Sequence, residues 1–314
     1  MSVPEFPGRP DSRSQKPRRK PGRLGVGVIG AGRVGAVLGA ALRAAEHAVV
    51  GVSAVSEASR ERAENLLPGV PVLEIPAIVE RAELVLLAVP DDALPELVSG
   101  LAAVGAWQPG QLVAHTSGRF GTAVLEPARA LGAIPLALHP AMTFTGMSLD
   151  LTRLPDCTFG VTAPAAILPV AQALVVEMGA EPVVIEEEDR VVYHAALAHA
   201  SNHLVTLAAQ STQLLTSIGV ERPDRLLGPL MRASLENALA GGEGALTGPV
   251  ARGDAGTVAA HAAALTDVPE DIHLAYIRLA EVTARRAVDR GLLSADQARA
   301  ITDALTSSWQ KGTE

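Results

Sequence analysis

The chain has 314 residues, a formal net charge of -8 and 48% apolar residues, enough for two domains with a substantial core. Aromatics make up only 3%, which leaves few rings for stacking bases, and Cys157 is the one cysteine, which excludes an intrachain disulfide and a cysteine-cluster metal site. Of 26 basic residues only Lys16, Lys20 and Lys311 are lysines, so Schiff-base and P-loop chemistry have no lysine in the interior to use.

Residues 1–23 carry seven basic and two acidic residues, an excess of +5, and are rich in proline. Such a segment buries too little to offset ordering and reads as a disordered basic tail, passive or docking. The rest carries -13, which argues against a nucleic-acid partner. The tail has no apolar h-region, and no apolar run is long enough to span a membrane. A cytoplasmic protein is expected.

From Leu24 short apolar runs alternate with helix-compatible stretches. The runs are 24–30, 48–53, 84–89, 111–115 and 134–138, with Val34–Ala45 and Ala58–Leu67 between the first three. Continuous apolar runs of this length are strands buried on both faces. Their alternation with helices predicts an α/β fold, a doubly wound Rossmann-type parallel sheet, which runs at 157–162 and 182–186 can extend.

The first run ends in VGVIGAGRVG, with Gly30, Gly32 and Gly35 as GxGxxG. Following a strand and opening a helix, the pattern fits a dinucleotide pyrophosphate bound by Gly30, Ala31, Gly32, Arg33, Val34 and Gly35. A purely structural glycine turn is the plainer alternative. The second run ends at Ser53-Ala54-Val55-Ser56, without the acidic residue that takes the ribose 2′-hydroxyl of NAD. Ser53 and Ser56 can donate to a 2′-phosphate, and Arg33 or Arg60 can pair with it. NADP(H) is therefore the expected cofactor.

Further along, Val89-Pro90 and His115-Thr116-Ser117-Gly118 follow two of the later runs. Ligands bind beyond the carboxyl ends of parallel strands, so Val89, Pro90 and Ser117 are candidate cofactor contacts and His139 a candidate substrate contact. Each of these segments also serves as an ordinary turn.

After Glu186 the texture changes. A long helix over 188–219 is followed by helical patterns at 223–240, 254–265, 269–290 and 294–308, an all-helical C-terminal domain. The expected domains are 24–187 and 188–314. Seven residues apart on the long helix, His194 and Ser201 share a face, with Asn202 beside them. An imidazole can donate a proton near neutral pH, and hydroxyl or amide groups can hold a carbonyl oxygen. Histidines hydrogen-bonded at a domain seam are the bland alternative. His199 and His203, four apart, lack the glutamate of a zincin, so no metal is expected. In LTGPVARGD (246–254), Arg252 offers a fork for a substrate carboxylate with Thr247 nearby, while Asp254 is placed to cap the next helix. No GxSxG elbow supports a serine hydrolase.

In chain order, GxGxxG at 30–35, AVPDDAL at 88–94, HTSG at 115–118, ALHPAMTF at 137–144, YHAALAHASN at 193–202 and LTGPVARGD at 246–254 carry a family resemblance. Together they resemble the Rossmann-like proteins with a DUF2520 domain, over about residues 24–265. The layout is more distantly similar to ketopantoate reductase, pyrroline-5-carboxylate reductase and 6-phosphogluconate dehydrogenase. The resemblance implies an NADPH-dependent oxidoreductase and a homodimer packed through the helical domains. It further implies a small-molecule carbonyl substrate, a 2-oxo acid such as ketopantoate in pantothenate biosynthesis. An imine reductase or a non-catalytic NADP-binding sensor are the alternatives. Ordinary ketopantoate reductases place a catalytic lysine on the first helix of the second domain. This chain offers His194 there instead.

Overall fold

The protein is described by a computed structural model over residues 23–307. The chain forms two compact units, the first ending at Ala198 and the second starting at His199. The expected tail lies outside the described residues except for Arg23, whose guanidinium pairs with Glu46 and reaches Glu177.

The first unit is a sheet flanked by helices. Its strands and helices run β1 (Gly25–Ile29), α1 (Arg33–Ala44), β2 (Ala48–Ser53), α2 (Glu57–Leu66), α3 (Ile75–Arg81), β3 (Leu84–Leu87), α4 (Leu94–Ala103) and β4 (Leu112–His115). There follow α5 (Glu126–Arg129), β5 (Ile134–Pro140), α6 (Leu149–Arg153), β6 (Thr158–Thr162), α7 (Leu168–Glu177) and β7 (Glu181–Val184). The strand order is β2-β1-β3-β4-β5-β6-β7.

All four residues of β3 and of β4 are buried, as continuous apolar runs require. Alternation then sorts the side chains. Leu84 and Leu86 join the layer built with α1 and α7, while Val85 and Leu87 join the layer built with α3 and α4.

The first five strands in spatial order are parallel, which agrees with the expected doubly wound sheet. The far edge departs from it. β6 runs antiparallel to β5, and β7 is parallel to β6. A parallel neighbour needs a crossover, usually a full helix. The connection after β5 holds only the five-residue α6 and a short 3₁₀ turn, and it brings the chain back reversed.

Next comes α8 (Arg190–Ser217). The division between the units falls inside this helix rather than near 187, where the change of texture suggested it. The reason is local. Arg190 is buried, and its guanidinium donates to the Ala137 and Gly160 carbonyls and to the Thr162 hydroxyl. These bonds anchor the first turns of α8 to β5 and β6.

The second unit contains the rest of α8, then α9 (Pro223–Gly241), α10 (Ala255–Ala264), α11 (Glu270–Asp289) and α12 (Ala295–Ser307). Its core joins Val258 and Ala262 to Ile277, Ala280 and Ala284 and to Ile301 and Leu305, small and branched residues from the last three helices. The caps follow the sequence. Asp254 accepts the Thr257 N–H, the capping role its place before α10 suggested. Ser294 and Gln297 exchange reciprocal bonds as a capping box. Among the described residues no helix is long and apolar enough to cross a membrane.

Candidate active site

The loops after β1, β3 and β4 and the last residues of β5 all stand at the carboxyl edge of the parallel strands. Gly30 has φ 100° and donates its N–H to the Ser53 hydroxyl at 2.9 Å. A Cβ on Gly30 would strike the Ala88 carbonyl, and one on Gly35 would strike the Gly30 carbonyl. At Gly32 a Cβ would meet nothing within 4 Å. Gly32 is the N-cap of α1 and brings no side-chain cap. The first amides of α1 are thus left for an outside acceptor, and the absent side chains form a cradle that fits a pyrophosphate.

Ser53 is buried under this loop. Its hydroxyl takes the Gly30 N–H and its carbonyl takes the Ala31 N–H at 2.8 Å. That is a different task from the phosphate contact expected of it. Ser56 is exposed and caps α2 by accepting the Ser59 N–H. Arg33 is exposed and Val34 half-buried at the start of α1. Val89 is half-buried and Pro90 exposed after β3.

Arg62, a residue the motif reading missed, reaches the loop more directly than Arg60. Its Nε donates to the Ala31 carbonyl at 3.3 Å. A Cβ on Gly146 would lie 2.8 Å from Arg62 Cδ and 3.1 Å from Arg33 Cγ, so both stems pack on this glycine. The buried Asp150 accepts the Thr145 and Gly146 N–H groups and so fixes that turn.

The loop after β4 is held by His115, which is fully buried. Its Nδ1 accepts the Ser117 N–H, so Nε2 carries the proton and donates to the Gly121 carbonyl at 2.8 Å. Burial pushes its pKa down to about 4, which keeps the ring neutral. Ser117 is buried and its hydroxyl accepts the Phe120 N–H.

Beside that loop four residues gather. His139 Nδ1 lies 2.9 Å from the Tyr193 hydroxyl. The His139 ring stands edge-on to Tyr193 at 5.5 Å and to His194 at 5.7 Å. A Cβ on Gly118 would sit 2.9 Å from His139 Nε2 and 2.5 Å from His194 Cδ2. Burial lowers the His139 pKa to about 4, and His194, Arg190 and His115 push it the same way. Burial also raises the Tyr193 phenol above its ordinary value.

The sequence pointed to His139, His194 and Ser117 here. It missed Tyr193 and Arg190. Tyr193 was visible only as the neighbour of His194, and Arg190 stood in no motif. Ser201 and Asn202 are exposed on α8 in the second unit, and Thr247 and Arg252 are exposed between α9 and α10. His199 and His203 bring their Nδ1 atoms to 2.7 Å on the exposed helix, but no group of three metal-capable side chains forms among the described residues.

Comparison with known families matches residues 9–140 to the Rossmann-like domain and residues 157–283 to a domain of unknown function, DUF2520. The chain carries a Rossmann-like domain followed by a DUF2520 domain. The first match begins within the stretch read as a tail. No curated protein matches the chain.

Solved structures share the fold. A candidate NADP oxidoreductase from Bacteroides fragilis superposes with TM-score 0.70 at 21% identity, covering 84% of this chain and 99% of that one. The reductive aminase from Aspergillus terreus, in complex with NADPH and ethyl-5-oxohexanoate, gives 0.56 at 16% identity over 93% and 95% of the two chains. Pyrroline carboxylate reductase from Plasmodium falciparum with NADP bound gives 0.52 at 11% identity over 92% and 98%. At these identities the likeness establishes the fold.

Proposed function

We propose that this DUF2520 protein is an NADPH-dependent reductase of a small carbonyl compound, a 2-oxo acid such as ketopantoate. The observation that carries it is the joint presence, along one sheet edge, of an open glycine cradle at Gly30–Gly35 and a histidine pair at His139 and His194. The bound dinucleotide supplies a hydride for the carbonyl carbon. Gly32 and the first amides of α1 would hold its pyrophosphate, and Pro90 and Ser117 would contact its nicotinamide end. His194 in its protonated form gives a proton to the carbonyl oxygen. On the motif order alone, Ser201 and Asn202 are the proposed holders of that oxygen. Arg252, with Thr247, is assigned to a substrate carboxylate.

The experiment is a panel of 2-oxo acids, ketopantoate first, and of cyclic imines, read by NADPH absorbance. Turnover of imines alone would favour the second reading, an imine reductase, which the fold shared with the reductive aminase and pyrroline carboxylate reductase supports. Cofactor binding without turnover of any member would leave a sensor. With the substrate identified, His194→Ala is expected to lower kcat about 100-fold, the usual worth of a positioned acid, with the KM for NADPH unchanged. An unaltered kcat would remove His194 from the acid role.

The same reading gives the 2′-phosphate to Arg62 and Arg33, which flank Gly146 beside the loop. Charge-assisted hydrogen bonds to phosphate contribute about 1.5–3 kcal/mol. Arg62→Ala should therefore raise the KM for NADPH by about tenfold or more and leave that for NADH nearly unmoved. Equal changes for the two cofactors would tell against the assignment.

A homodimer belongs to this reading. α8 buries only Arg190 and α9 only Pro223, while Leu226, Leu230 and Leu239 stand exposed. Apolar surface of this kind on two long helices suits burial against a second copy.

A further inference from the structure

We propose that His139 is the electrophile of this site, a neutral imidazole whose Nε2–H polarises the substrate oxygen, and that Tyr193 is the positioning residue that fixes this tautomer. The proposal rests on the reductase reading above and assigns a role that reading leaves open.

The hydrogen-bond chain runs in one direction. The Tyr193 oxygen packs on Gly160, where a Cβ would come within 2.6 Å of it. A phenol is the better donor of the pair and a neutral imidazole nitrogen the better acceptor, so the hydroxyl gives its own proton to His139 Nδ1, 2.9 Å away. An imidazole that accepts at Nδ1 and is neutral carries its proton at Nε2. Nε2 is the atom that faces Gly118, where a side chain would sit 2.9 Å away. Glycine there puts no side chain against the N–H, which lies on the His194 side of the residue next to Ser117.

The surroundings keep the ring neutral. Arg190 is buried within 5.8 Å of the Tyr193 ring, and its Nη1 has no hydrogen-bond partner among the described residues. This guanidinium disfavours a second positive charge on His139. A neutral imidazole is a competent hydrogen-bond donor to a carbonyl that is gaining negative charge. In the reaction the hydride adds to carbon, the C=O π pair moves to oxygen, and His194 gives that oxygen its proton. His139 keeps its own proton throughout and contributes only the hydrogen bond.

The test uses the full-length protein with NADP⁺, labelled with ¹⁵N-histidine, together with NADPH turnover of the 2-oxo acid panel. Wild-type His139 should give the Nε2–H tautomer at pH 7, and Tyr193→Phe should shift it toward a mixture. Tyr193→Phe should lower kcat about tenfold while the KM for NADPH stays put. His139→Leu should lower kcat by about 10²–10³-fold, the effect of losing one oxyanion donor. His139→Gln, whose amide nitrogen can stand where Nε2 stood, should recover much of that loss. An Nδ1–H tautomer in the wild type, or full kcat in both Tyr193→Phe and His139→Leu, overturns the proposal. If the wild type turns over no member of the panel, the reductase reading falls and takes the electrophile with it. The tautomer spectrum would still report by itself whether Tyr193 holds His139.

Discussion

Replacing Gly35 by alanine is expected to abolish measurable NADPH binding and to destabilise the sheet domain by about 1–3 kcal/mol, the usual cost of overpacking. The added methyl would strike the Gly30 carbonyl and come 2.8 Å from Ala88 Cβ. Neither neighbour is the end of a flexible side chain. The N-terminal turn of α1 must therefore move off β1, and the Gly30–Gly32 loop moves with it. Gly32→Ala is the control, because its methyl would meet nothing in the protein within 4 Å. That variant should fold like the wild type and lose only cofactor affinity, since the methyl occupies the approach to the α1 amides. Urea unfolding and fluorescence titration with NADPH separate the two effects. Wild-type affinity in Gly35→Ala would mean that the start of α1 is not the pyrophosphate site.

This contrast shows which parts of the molecule a sequence can disclose. The glycine spacing, the apolar runs and the caps at Asp254 and Ser294 are local, and each rests on residues within a few positions of one another. They were legible. The reversal of β6 was not, because strand direction depends on how the chain returns after β5, and a run such as Cys157–Thr162 has the same pattern in either direction. Tyr193 and Arg190 were hidden for a related reason. Their importance comes from partners far away in sequence, His139 and the carbonyls of Ala137 and Gly160. Ser53 shows the reverse case. It stands where a phosphate contact was expected, yet its hydroxyl is engaged by Gly30 from below, and Arg62 on the next helix is the group that reaches the loop from the side. The absence of interior lysine remains informative. The polar groups that meet at His139 are imidazole, phenol and guanidinium, so the site has to manage charge through burial and tautomer.

Acid should undo that arrangement. His115 and His139 both have folded pKa values near 4, against about 6.5 for an unperturbed imidazole. Between these values the unfolded chain binds protons that the folded protein refuses, so stability rises with pH across this window. The contribution is fully present above about pH 6.5 and is lost as the pH falls toward 4. At 1.36 kcal/mol per pKa unit, each ring accounts for about 3 kcal/mol over the window. Urea midpoints of the sheet domain at pH 7 and pH 4.5 should therefore differ strongly. His115→Asn separates the two rings. Its side-chain oxygen can still accept the Ser117 N–H, but the bond to the Gly121 carbonyl is lost, so the variant should be less stable at pH 7. It should also be flatter with pH, because one titrating group is gone. Parallel curves for variant and wild type would mean that His115 does not carry the acid response. The remaining slope belongs to His139, where protonation puts a hydrogen on Nδ1, against the Tyr193 hydroxyl, and a second cation near Arg190. The pH at which the domain weakens should then also be the pH at which Tyr193 can no longer hold His139 as a neutral donor.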